Sequence, residues 1–140
     1  MTFTKDEKIR FQHIDNAGIV FYPRFLEMLN CLVEDWFEEA LDLPFHEMHE
    51  TNGIPTINLE IKFKSPARLG DVIQKHLEVE ELGRSSIKVN FNFTNGGIAI
   101  LEGKVTLVYV AINPERDGIK SEAIPPELIA KITPYIRTHG

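Results

Sequence analysis

From Pro23 to Leu43 the apolar residues recur every three or four positions, and from Ile57 onward they recur every two. Nothing else in the chain limits its fold as much. In the first stretch Phe25, Met28, Leu29, Leu32, Val33, Trp36, Phe37, Ala40 and Leu41 line one face of a helix, and Arg24, Glu27, Glu34, Asp35, Glu38, Glu39 and Asp42 occupy much of the rest. Such a helix is about 30 Å long, enough to cross a small domain. Pro44 is expected to end it. In the second stretch Ile57, Leu59, Ile61 and Phe63 alternate with Asn58, Glu60, Lys62 and Lys64, the pattern of a half-buried strand. Leu77 and Val79 mark another strand, between turns at Leu69-Gly70-Asp71 and Leu82-Gly83. Ile87, Val89, Phe91 and Phe93 mark a third. Asn95-Gly96-Gly97 predicts a hairpin into a long strand, Ile98 to Ile112, with a bend or bulge at Gly103 and a stop at Asn113-Pro114. Phe3 to Phe11 reads as a weaker first strand, His46 to Asn52 as a polar connection, and Pro125-Pro126 as the start of a short helix through Ile132. One long helix with a mostly antiparallel meander is an α+β layout, and 140 residues make one domain.

The segment ahead of the helix, Phe11-Gln12-His13-Ile14-Asp15-Asn16-Ala17-Gly18-Ile19-Val20-Phe21-Tyr22-Pro23, carries the chemistry. Asn16 and Gly18 favour a tight turn, since Gly takes positive φ freely and Asn tolerates it. Pro23 suits the first helical position, where its missing N–H costs nothing. The turn therefore sets Asp15 close to the free N–H groups of a helix start. A carboxylate beside such donors is what attack on an ester or thioester needs, with a base or nucleophile on one side and electrophilic stabilisation on the other. As a plain turn-former, Asp15 would be only a solvated cap.

Phe11, Asp15, Ala17, Gly18, Ile19, Val20, Tyr22 and Pro23 together resemble the signature of the 4-hydroxybenzoyl-CoA thioesterase family of hotdog-fold proteins. The resemblance implies a five-stranded, mostly antiparallel sheet wrapped round one long central helix. It implies hydrolysis of an acyl-CoA, with an aromatic acyl group such as 4-hydroxybenzoyl or a short aliphatic one, to free acid and CoA. Asp15 takes the place of the catalytic carboxylate, the Tyr22 backbone N–H that of the group activating the carbonyl, and Gly18 that of the residue allowing close backbone approach. The turn Gly83-Arg84-Ser85-Ser86 matches the one that meets the nucleotide phosphates of CoA, although only Arg84 is basic here. His13 departs from a commonly acidic position, and could orient Asp15 or meet substrate. The family assembles as dimers, often tetramers, and includes members acting on carrier-protein thioesters. A related subfamily places a Glu on the central helix instead, for which Glu27, Glu34 and Glu38 are the rivals to Asp15. A hotdog hydratase or dehydratase and a non-catalytic acyl-CoA-binding module are the alternative functions.

A formal net charge of −6 argues against a nucleic-acid partner and requires any CoA site to be locally basic. Arg84 meets that need, and Lys62, Lys64 and Arg68 form a second basic cluster. One cysteine, Cys31, forms no internal disulfide, which fits a reducing cytoplasm; no signal peptide or membrane-spanning run is evident. Mid-helix, Cys31 reads as a packing residue, with no adjacent His to activate it. His46 and His49 lie at i, i+3, one residue short of the zincin spacing, and have no obvious third ligand. No metal or redox cofactor is expected. The chain has no Gly-x-Ser-x-Gly elbow and no Gly-rich phosphate loop.

Overall fold

The computed structural model describes residues 1–113 and 118–137. Strands β1 (Phe3–Lys8), β3 (Thr56–Phe63), β4 (Val72–Leu82), β5 (Ser86–Asn95) and β6 (Ile98–Val108) form one antiparallel sheet in the order β1-β4-β5-β6-β3. A second, smaller sheet joins β2 (Asn52–Gly53), β7 (Val110–Asn113) and β8 (Gly118–Ser121) in the order β2-β7-β8. Helix α1 (Pro23–Asp35) packs on one face of the large sheet, α2 (Phe45–Met48) follows it, and α3 (Pro126–Ile132) lies near the C-terminus. A five-stranded antiparallel sheet against one long helix is the α+β arrangement anticipated above.

The core follows from the two periods. Phe25, Met28, Leu29, Leu32 and Val33 of α1 are buried, and they meet Ile73, Leu77, Val79, Ile87, Val89, Phe91 and Phe93 from β4 and β5. Pro23 opens the helix as expected. The helix end differs from expectation. After Asp35 the chain widens into a π-helical turn, Trp36–Ala40, with Leu41 N–H donating to Trp36 O at 3.1 Å. That extra residue lets Trp36, Phe37 and Leu41 all reach zero exposure. The stop is set by Asp42, at φ +52°, where Leu43 N–H donates back to Phe37 O, and not by Pro44.

Four other expectations need correction. The first strand ends at Lys8, and Phe11–His13 is a 3₁₀ turn. The stretch Ile98 to Ile112 is two strands in different sheets, parted at Tyr109, whose N–H donates to Ser85 O at 2.7 Å. Part of the connection His46 to Asn52 is the helix α2 and the start of β2. Gly103 is not the bulge; the register shift lies where Phe93 and Thr94 face Leu101 and Ala99. A β-carbon on Gly103 would overlap the Glu60 carbonyl and the Phe91 ring, so glycine is there for space. The hairpin at Asn95, Gly96 and Gly97 forms as read, with φ +56° and +89° at its two glycines. The short helix after Pro125 also forms, ending at Ile132. Of the predicted stop Asn113-Pro114, Pro114 lies outside the described residues.

Candidate active site

The loop from His13 to Tyr22 is pinned at both ends of its turn. Asp15 N–H donates to Ile19 O at 2.9 Å, Gly18 N–H to Asp15 O at 3.0 Å, and Phe21 N–H to His13 O at 2.9 Å. Gly18 takes φ +78°, a conformation that L-residues rarely adopt. The loop is also tied to the connection between β3 and β4 through Val20 N–H to Ala67 O at 2.9 Å and Leu69 N–H to Gly18 O at 3.2 Å.

These bonds hold Asp15 in a fixed pose. Its Oδ1 accepts from Ala17 N–H at 2.8 Å, an Asx turn, while the residue as a whole stays exposed. Tyr22 caps α1; its carbonyl accepts from Phe25 N–H at 3.0 Å. The Tyr22 N–H itself has no partner among the described residues. An anchored carboxylate and an unpaired N–H at a helix start thus sit on one rigid loop.

His13 closes the 3₁₀ turn Phe11–His13 ahead of the loop. It is buried, and Arg10 N–H donates to its Nδ1 at 2.8 Å, so in the neutral ring the proton lies on Nε2. Its visible work is to fix the 3₁₀ turn ahead of the loop. Arg84 is exposed, with its carbonyl accepting from Ile124 N–H at 2.9 Å. Ser86 O closes the same turn by accepting from Gly83 N–H at 2.9 Å, and Ser85 O accepts from Tyr109 N–H at 2.7 Å.

The Asp15 loop and the Arg84 turn are not brought together within one chain. The loop is bound to residues just before β4, and Arg84 follows the far end of that strand. Eleven extended residues span roughly 35 Å.

Beside the loop lies an aromatic series missed by the reading of the sequence. Tyr22 packs edge-on to Phe21 and to Phe63, with centroids 5.7 and 6.2 Å apart, and Phe25 lies 6.2 Å from both Phe63 and Phe93. Phe21, Tyr22 and Phe63 are 49%, 60% and 52% exposed, so this face is open to a ligand or a second chain. Phe63 was visible in the sequence only as the last member of an alternating strand; its nearness to Tyr22 is a tertiary fact.

The rival chemistries find little support. Cys31 is exposed rather than packed, and partial burial of its thiol pushes its pKa up, leaving it protonated and poorly nucleophilic. Among the described residues no group of three His, Cys, Asp or Glu side chains could hold a metal ion. No described helix is long and apolar enough to cross a membrane.

The fold and this loop define a class that comparison with known proteins identifies. The thioesterase-like superfamily model matches residues 9–132, and the chain belongs to that superfamily. A curated relative, 1,4-dihydroxy-2-naphthoyl-CoA hydrolase of Acaryochloris marina, is 28% identical over 127 residues, covering 89% of this chain and 90% of its own. Among solved structures, the 1,4-dihydroxy-2-naphthoyl-CoA thioesterase of Synechocystis superposes with a TM-score of 0.83 at 21% identity, covering 95% of this chain and 96% of its own. The 4-hydroxybenzoyl-CoA thioesterase of Pseudomonas sp. strain CBS-3 does so with a TM-score of 0.83 at 22% identity, covering 93% and 98%. The resemblance seen in the Asp15 segment thus extends to the whole fold, and the expected class, a thioester hydrolase acting on acyl-CoA, agrees with this membership.

Proposed function

We propose that the protein hydrolyses an aromatic acyl-CoA thioester at a site shared by two copies of the chain. Asp15 drives attack on the thioester carbonyl, by bonding to its carbon or by taking a proton from the attacking water. In both routes the carbonyl oxygen gains negative charge, which the free Tyr22 N–H at the positive end of α1 stabilises. The C–S bond then breaks, CoA departs as its thiol, and water supplies the new oxygen of the free acid. Gly18 keeps the loop low and free of a side chain where substrate must approach, since nothing lies within 4 Å of its missing β-carbon. The observation that carries this reading is the single loop holding a fixed carboxylate and an unpaired N–H.

The aromatic acyl group is supported by the open aromatic face at Phe21, Tyr22 and Phe63 and by the substrate in the relatives' names. The CoA phosphates meet Arg84, with Ser85 and Ser86 beside it, on the second copy, because one chain keeps Asp15 and Arg84 far apart. The second copy pairs along β3, an edge strand whose Ile57, Leu59 and Phe63 are 65%, 39% and 52% exposed. The test is release of free thiol from a panel of thioesters: 1,4-dihydroxy-2-naphthoyl-CoA, 4-hydroxybenzoyl-CoA and short aliphatic acyl-CoAs. The highest kcat/KM should fall to an aromatic member. Thiol release from none of them, or from the aliphatic members alone, would overturn the reading.

A further inference from the structure

His13 is 8% exposed and stands where the 3₁₀ turn passes into the Asp15 loop. Three hydrogen bonds meet at this one residue. Its backbone N–H donates to Arg10 O at 2.9 Å, its ring Nδ1 accepts from Arg10 N–H at 2.8 Å, and its carbonyl accepts from Phe21 N–H at 2.9 Å. The first two grip both backbone groups of Arg10, and the third crosses the loop to the residue before Tyr22. A backbone N–H can only donate, so the grip needs the bare Nδ1 of a neutral ring.

The peptide joining Phe21 to Tyr22 carries the free N–H. In a planar trans peptide the carbonyl and the N–H point in opposite directions. Phe21 O accepts from Arg24 N–H, in the first turn of α1, at 2.9 Å. Tyr22 N–H is therefore aimed off the end of the helix and away from its interior. How squarely it is aimed depends on where Phe21 sits, and His13 O holds Phe21 from its N–H side. Asp15 is held differently. Its partners are Ala17 N–H, Gly18 N–H and Ile19 O, all inside the turn, and none of these bonds runs through His13. Loosening the His13 grip thus disturbs the Phe21–Tyr22 peptide and leaves the bonds of the carboxylate in place.

We infer that His13 is a positioning residue for the oxyanion donor: clasped to Arg10 through Nδ1, it fixes Phe21 and so aims the Tyr22 N–H, and it neither meets substrate nor orients Asp15. The inference rests on the reading of Tyr22 N–H as the group that stabilises the carbonyl oxygen. A whole oxyanion donor is worth about a hundredfold to a thousandfold in kcat, and a hydrogen bond weakens steeply once its angle is lost.

The test uses two substitutions and the aromatic thioester that the wild type cleaves best. His13→Leu fills the buried space without an acceptor. His13→Asn sets Oδ1 two bonds from Cβ, as Nδ1 is, where it can accept from Arg10 N–H. The leucine variant should lose about tenfold or more in kcat with KM unchanged within about twofold, and the asparagine variant should recover most of that loss. Placed in the Asp15→Asn protein, His13→Leu should lower the remnant rate by the same factor, because that remnant comes from binding and oxyanion stabilisation. A route through Asp15 would give no further loss there, and a substrate contact would raise KM; either result overturns the inference and leaves hydrolysis standing. Amide hydrogen exchange reads the grip without catalysis. Phe21 N–H should be protected in the wild type, exposed to exchange in His13→Leu and protected again in His13→Asn. An unprotected Phe21 in the wild type, or an unmoved kcat in a folded leucine variant, overturns the inference. If His13→Leu does not fold, His13→Asn decides alone: kcat and Phe21 protection kept together support the inference, and kcat lost with protection intact refutes it. If the wild type releases thiol from no aromatic thioester, the functional reading falls and this inference with it.

Discussion

Asp15 is held by the same interaction that an asparagine would keep. Its Oδ1 accepts from Ala17 N–H, and an amide oxygen can do the same. Asp15→Asn should therefore leave the loop and the melting temperature almost unchanged while removing the nucleophile or base. The expected loss in kcat is about a thousandfold or more, with a remnant from binding and oxyanion stabilisation. Steady-state kinetics beside a thermal melt checks both halves. A variant keeping most of the wild-type kcat would return attention to a helix glutamate. The residue types of this loop were legible in the sequence because turn chemistry is local: Gly18 needs positive φ, and Pro23 fits only the first helical turn. The burial of His13 was not legible. It depends on Arg10 N–H folding back over a 3₁₀ turn, and nothing in residue type or spacing announces that.

At the scale of elements, the sheet carries two sharp tests. Gly103 of β6 sits where a side chain would collide with the Glu60 carbonyl of β3 and the Phe91 ring of β5. Gly103→Ala must push neighbouring backbone aside, and overpacking of this kind costs about 1–3 kcal/mol. Chemical denaturation should show that loss; a neutral result would mean that β3 moves away freely. On the outer face, Glu80 accepts from Lys104 at 3.0 Å with Lys88 at 3.8 Å. The Lys104 hydrogen bond, aided by the positive charges of Lys104, Lys88 and Arg137, holds the Glu80 carboxyl below its ordinary value. A lowered folded-state pKa contributes stability that is fully present above the ordinary glutamate range and is lost as pH falls through the lowered value. Melts of wild type and Glu80→Gln should accordingly differ at neutral pH and converge in acid. A gap that widened on acidification would contradict this sign. The elements themselves were largely readable, since period-two alternation and the Gly96-Gly97 hairpin are written in neighbouring residues. The π-helical turn was not, because one residue shifts the hydrogen bonding without altering the apolar stripe. Nor was the small sheet, in which β2 joins β7 and β8 from a distant part of the chain. Lys75 was also opaque: it occupies an inward position of β4 between Ile73 and Leu77, 3% exposed, with Glu7 of β1 at 3.7 Å.

For the whole molecule, the unfinished feature is β3. It pairs with β6 on one side only, and its eight residues include no proline that would block a further strand. Its apolar side chains are left partly open, Ile57 at 65%, Phe63 at 52% and Leu59 at 39% exposure, although Phe25 of α1 lies 6.2 Å from Phe63. A second copy would complete this edge, and the separation of Asp15 from Arg84 then acquires a purpose. Arg84→Ala should raise KM for CoA thioesters more than it lowers kcat, because a remote phosphate contact acts alike in ground and transition states. With a pantetheine thioester, which lacks the nucleotide, the same substitution should have little effect. Mixing Asp15→Asn and Arg84→Ala chains after dissociation should restore part of the activity, since some hybrid dimers hold one site with an intact Asp15 and an intact Arg84. If both residues of a site belonged to one chain, mixing would restore nothing. Light scattering sets the condition for the whole scheme: the active species should be at least a dimer, and a fully active monomer would exclude a shared site.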